Sequence, residues 1–121
     1  MSSEHVSSEI IEALSIDCVI FGFRDSELDI LLIKHAGGIS KGRWALPGGW
    51  IRYDESIDDA ANRLLTSLTG VSDIFLEQFR TFGELNRYPG KRVITLAYFA
   101  LINADNYSLS PGFTASDARW F

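Results

Sequence analysis

The stretch that most constrains this chain is Gly48 to Val71, GGWIRYDESIDDAANRLLTSLTGV. Ile57, Ala60, Ala61, Leu64, Leu65 and Leu68 recur at helical spacing and form one apolar face. Ser56 stands where an N-cap belongs, and Asp59 three residues later gives a capping-box-like pair. Asp58 and Asp59 fall in the first turn, where the helix dipole favours negative charge. Gly70 sits at the position of a left-handed C-terminal cap. The expected unit is therefore a Gly48-Gly49 turn, extended chain through Trp50-Ile51-Arg52, and a capped helix that must bury its apolar face on something else.

Strand patterns supply that partner. Ile16 to Phe23 is rich in β-branched and aromatic residues, Arg24 to Glu27 is a polar turn, and Leu28 to His35 is a second strand, so the pair reads as a hairpin. Ala36 to Gly42 is a glycine-rich loop without the order of a phosphate loop, and Arg43 to Leu46 is a short strand ended by Pro47. Ile74 to Glu84 reads as extended with a bulge, because Phe75, Phe79 and Phe82 break strict alternation. Asn86 to Gly90 is a turn. Lys91 to Ile102 is apolar on both alternating faces, which predicts a central strand covered on both sides. Asn103 to Ser116 is loop, and Ala118 to Phe121 a last strand. Ahead of all this, residues 1–15 read as an N-terminal segment with a short helix, Ser8 capping Glu9 to Leu14, and 16–121 as the domain.

Composition narrows the class. An apolar fraction of 46% supports a real core, and no run approaches the length of a membrane span. Nothing at the start reads as a signal peptide, and the single cysteine, Cys18, falls in a strand as a packing residue; both fit the cytoplasm. His35 is isolated and reads as surface or rim. The net charge of −5 argues against unspecific attraction to nucleic acid or anionic membranes.

The stretch from Gly49 resembles the Nudix box, G-x5-E-x7-R-E-U-x-E-E-x-G-U with U aliphatic. Gly49, Glu55, Arg63, Leu65, Gly70 and Val71 fit it without a gap, and RWALPGG at 43–49 is similar to the usual lead-in. The three helix glutamates of the family fall on Leu64, Ser67 and Leu68, none of them acidic. The resemblance implies an α+β fold, an α/β/α sandwich with a mixed sheet and one Nudix helix. It also implies a second helix after the last strand, which the sequence to Phe121 does not contain; the sheet's second face is then left to the N-terminal helix, a partner, or a chain that continues. Nudix enzymes cleave nucleoside diphosphates linked to another group, using divalent cations held by the helix carboxylates. Magnesium requires oxygen ligands, so leucines at these positions argue against catalysis and leave no catalytic residue and no metal cofactor to assign.

With its degenerate box, the chain resembles the N-terminal sensor domains of Nudix-related bacterial transcriptional regulators. The resemblance also rests on 82–102 and the terminal DARWF. It implies a non-catalytic domain that binds a sugar or a nucleotide of the ADP-ribose class, a homodimer, and DNA contact only through a C-terminal winged helix outside this sequence. Candidate ligand residues are Arg43, Trp50, Arg52, Glu84, Arg87, Lys91 and Arg92, with Tyr53 as a further stacking surface: guanidinium binds phosphate bidentately and aromatics stack on bases. The resemblance also implies that Arg63 pairs with Glu55 or another acid. Two alternatives remain open. One is a Nudix hydrolase with Mg2+ held by Glu55, Asp58, Asp59 and Glu84; the other is a structural or dimerisation module with an empty pocket.

Overall fold

The computed structural model describes residues 9–85 and 90–121. In chain order these form β1 (Ile10–Arg24), β2 (Glu27–His35), β3 (Trp44–Ala45), β4 (Gly48–Arg52), α1 (Ile57–Thr69), β5 (Glu77–Phe82), β6 (Ile94–Asn103) and β7 (Ala115–Trp120), with a 3-10 turn at Ala104–Asn106. The sheet runs β3-β2-β1-β6-β5, with β4 pairing with β1 and β7 with β2. It is mixed: β1 and β6 are parallel, and the other pairs are antiparallel. The α+β fold with a mixed sheet and one long helix that the resemblance implies is the one observed.

Strand β1 is the spine. Its first half pairs with β4, its second half with β2, and Leu14 to Phe23 run beside β6. The turn to β2 places both Asp25 and Ser26 at positive φ, the two-residue geometry that matches strand twist. Ile16, Cys18 and Ile20 on β1, with Leu96, Tyr98 and Ala100 on β6, form the core face, and α1 lies on it. The Cys18 thiol is within 3.9 Å of the Ala61 carbonyl oxygen, and burial pushes its pKa up to about 12, so it is a packing group as expected.

Three expectations need correction. The short helix over Glu9 to Leu14 does not form; Ser8 lies outside the described residues, and Ile10 to Leu14 belong to β1. Ile10 pairs with Arg52, Leu14 with Ile94, and the Tyr53 amide donates to the Glu9 carbonyl at 3.0 Å. So short a helix is marginal, and sheet pairing satisfies the same backbone groups. A register shift between Ile10 and Ser15, with Ala13 at φ 71, absorbs the misfit. Second, Gly48 and Gly49 are strand, not turn. They are small because β4 is wedged between β1 and α1: a Cβ on Gly48 would run into the Ile16 carbonyl oxygen, and one on Gly49 would meet Leu64 Cδ2 at 2.7 Å. Third, β6 is covered on its α1 side only along its full length. On the other side Val93, Thr95 and Ala97 are buried, but Leu101 is 66% exposed. The bulge expected in β5 is present between Gln78 and Arg80.

The wedge around β4 gives a testable contrast. Gly48→Ala should lower unfolding stability in a urea titration by about 1–3 kcal/mol through overpacking. Gly37→Ala, at a position with nothing within 4 Å, should leave it within about 0.5 kcal/mol.

Candidate functional site

The site begins with the helix. Ser56 Oγ accepts from the Asp59 amide at 3.0 Å, and the Gly70 amide, at φ 80, donates to the Thr66 carbonyl. Both caps are as the sequence predicts. Asp58 in the first turn accepts a 2.5 Å hydrogen bond from the Tyr98 hydroxyl; burial first, and this bond second, hold the Tyr98 pKa above its ordinary value.

The loop before the helix carries a clamp. Arg63 Nε donates to Glu55 Oε2 at 2.8 Å and Arg63 Nη2 to Glu55 Oε1 at 2.7 Å, a two-pronged ion pair. Arg63 Nη2 also donates to the Trp50 carbonyl at 2.8 Å, and the Arg52 amide donates to Glu55 Oε1 at 2.8 Å. Four bonds thus tie α1, its leading loop and β4 together. The guanidinium of Arg63 is the main reason the Glu55 carboxyl lies below its ordinary pKa.

Beside the clamp is a cleft of about 1080 Å³. Ile51 is buried in the core, so strand alternation turns Gly48, Trp50 and Arg52 toward the cleft. Ser15 and Asp17 of β1, Thr95 of β6, His35 and the loop to Ser40, and Phe113 complete its walls. The Ser15 and Thr95 hydroxyls are hydrogen-bonded at 2.8 Å. Leu64 is part of the floor.

Among the candidate ligand residues, Trp50 and Arg52 line this cleft, and the Lys91 ammonium lies 4.8 Å from the Trp50 ring centroid. Arg43, Glu84 and Arg92 do not line it. Arg43 is exposed, its carbonyl accepting from the His35 amide; Arg92 donates to the Gly83 carbonyl at 2.7 Å, and Glu84 is exposed just beyond. Arg87 lies outside the described residues. Tyr53 is exposed and is not a cleft residue. The sequence reading missed Ser15, Asp17 and Thr95. The available signal was polar residues alternating with Ile16 and Cys18 in an otherwise apolar strand.

The donor set does not fit a magnesium ion. Leu64 and Leu68 are buried, and Ser67 Oγ donates to the Arg63 carbonyl at 2.6 Å. Glu55 is committed to Arg63 and Asp58 to Tyr98. Among the described residues, no three His, Cys, Asp or Glu side chains are grouped so as to hold a metal. Nor is any described helix long and apolar enough to cross a membrane.

Residues 12–121 match the family model described as NUDIX domain. Over 96 residues, 78% of this chain, the sequence is 36% identical to the ADPR responsive transcriptional repressor NtrR of Acinetobacter baylyi, of which it covers 38%. It is 27% identical over 109 residues, 90% of this chain, to the ADP-ribose pyrophosphatase of Methanocaldococcus jannaschii, of which it covers 61%. Among solved structures, the NUDIX domain of Shewanella oneidensis NrtR complexed with ADP ribose aligns with a TM-score of 0.82 at 30% identity, over 92% of this chain and 73% of that one. The chain therefore spans less than two thirds of the length of either curated relative.

The clamp makes a pH-dependent contribution to stability. Because the folded pKa of Glu55 is lowered, that contribution is complete above the unfolded carboxylate value of about 4.3 and is lost as pH falls through the folded value. Arg63→Ala should cost about 2 kcal/mol at pH 7, between exposed and fully buried pairs. In urea titrations the gap from wild type should narrow steadily below about pH 4.

Proposed function

The chain belongs to the Nudix domain family, and from that premise we propose that it is a ligand-sensing domain of a transcriptional regulator, one that binds an ADP-ribose-class nucleotide in the β4 cleft and does not hydrolyse it. The observation that carries this reading is the face of α1 whose Leu64 forms part of the cleft floor. At the three positions where the family places cation-binding glutamates stand buried Leu64, buried Leu68, and Ser67, whose hydroxyl is turned back to the Arg63 carbonyl. Such a face has no oxygen ligands to offer a hard cation. The cleft above it keeps an aromatic ring and a guanidinium, Trp50 and Arg52, the groups that recognise bases and phosphates.

The likeness to a repressor named as ADPR responsive, and to a Nudix domain solved with ADP ribose, supports the choice of ligand class. The net charge of −5 supports assigning DNA contact to another part of a longer protein rather than to this domain. In this reading the protein works as a homodimer, as a two-fold DNA site requires. The likeness to an ADP-ribose pyrophosphatase favours a second reading, hydrolysis of the same ligand class. It requires a cation site that the grouping of acidic side chains among the described residues does not supply.

A thermal-shift titration with ADP-ribose, paired with an assay for AMP release in magnesium, separates the two. Binding should raise the melting midpoint with ligand concentration, by the equivalent of about 2.7 kcal/mol at a hundredfold excess over Kd. AMP should stay at the buffer level. AMP release that Glu55→Gln abolishes would establish the hydrolase instead, and no shift with ADP-ribose would remove the ligand assignment.

A further inference from the structure

Trp50 and Lys91 lie 41 positions apart in sequence, yet the ammonium of one sits over the indole of the other at 4.8 Å. Three features make this pair more than surface packing. Trp50 lines the cleft, on the same side of β4 as Arg52. Its backbone is fixed, because its carbonyl is held by Arg63 of the clamp. Across the sheet register Ser15 stands opposite Trp50, and its hydroxyl is paired with that of Thr95. One wall of the cleft thus presents an aromatic ring on an anchored backbone, a pair of hydroxyls and a guanidinium. Those are the complements of a base, a sugar and a phosphate.

Resting on the functional reading above, we propose that Trp50 is the stacking platform for the adenine ring of the ligand, and that Lys91, whose ammonium lies over this ring, yields it to the base. Relative strengths make the exchange run in that direction. An exposed cation–π contact is worth about a 2- to 5-fold change in an equilibrium constant. A base stacked on an aromatic side chain is worth about 5- to 100-fold. Lys91 is exposed, so leaving the ring restores its full hydration at little cost. The platform selects for a flat base, while Arg52 and the hydroxyls act on the parts that a base-free sugar phosphate shares.

Calorimetric titration of the 121-residue chain with ADP-ribose, ribose 5-phosphate and adenosine tests this. In Trp50→Leu, ADP-ribose affinity should fall about 5- to 100-fold while ribose 5-phosphate affinity stays within about twofold. Trp50→Phe, which keeps a ring, should hold ADP-ribose within about threefold of wild type. In Lys91→Ala, an exposed substitution, adenosine should bind about 2- to 5-fold tighter because its competitor for the ring is gone. Equal losses for both phosphorylated ligands in Trp50→Leu, or no loss, would overturn the platform. Unchanged or weaker adenosine binding by Lys91→Ala would overturn the exchange. A wild-type chain that binds ribose 5-phosphate but not ADP-ribose would overturn the platform and the ligand assignment together, whereas tight ADP-ribose binding untouched by Trp50→Leu would leave that assignment standing and remove only the platform.

Discussion

The ion pair between Glu55 and Arg63 is the constraint on which the site depends. Two half-buried charges are tolerable only when their hydrogen-bonding capacity is used. Here Glu55 accepts from the Arg63 side chain and the Arg52 amide, and Arg63 spends its remaining reach on the Trp50 carbonyl. Helix, loop and strand thus share one electrostatic knot. The knot sets the position of Trp50 and Arg52, and with them the chemistry the cleft can offer. It also occupies Glu55, the one acidic residue of the family motif that this chain retains, so that its oxygens are spent on a guanidinium.

Leu64 and Leu68 trade one property for another. Each buried leucine contributes about 1.5–3 kcal/mol relative to leaving it exposed, whereas a ring of carboxylates at the same place repels itself unless a divalent ion is bound. A helix with leucines there is stable with nothing bound. Leu64 also packs on Gly49, where no side chain could be added without a clash, so the floor of the cleft is fixed by van der Waals contact. The chain is similar both to a relative described as a repressor and to one described as a pyrophosphatase.

How much could be read in advance follows from the range of each interaction. The helix, its caps and its apolar face were legible because Ser56, Gly70 and the leucine spacing act within a turn or two. The Glu55–Arg63 pair, eight residues apart, was legible from family resemblance and is observed at 2.7 Å. Glu9 to Leu14 was misread because a six-residue window cannot separate a marginal helix from a strand; the pairing partners, Arg52 and Ile94, are some forty and eighty positions away. Gly48-Gly49 looked like a turn because glycine permits one, and only the contacts with Ile16 and Leu64 reveal the steric reason for it. Of the ligand candidates, charge alone nominated Arg43, Glu84 and Arg92, which the fold places away from the cleft, while Ser15, Asp17 and Thr95 were hidden in strands that read as core.

Strand β1 connects the cleft to the rest of the sheet in a way that bears on signalling. On one face it presents Ser15 and Asp17 to the cleft, and further along the same face Val19 and Phe21 line an apolar hollow with Phe79 and Phe99. Polar recognition and exposed apolar surface are thus consecutive on a single strand, pinned along its length to β6. A ligand that bound equally to every arrangement of β1 would transmit nothing, however tightly it bound. Transmission requires that a ligand's contacts be better in one arrangement than another. The shift in pairing between Ile10 and Ser15, with Ala13 at positive φ, lies immediately before the cleft residues. A bulge interrupts the regular ladder and bends the strand locally, so the cleft borders an irregular stretch of the strand that pairs with β2, β4 and β6.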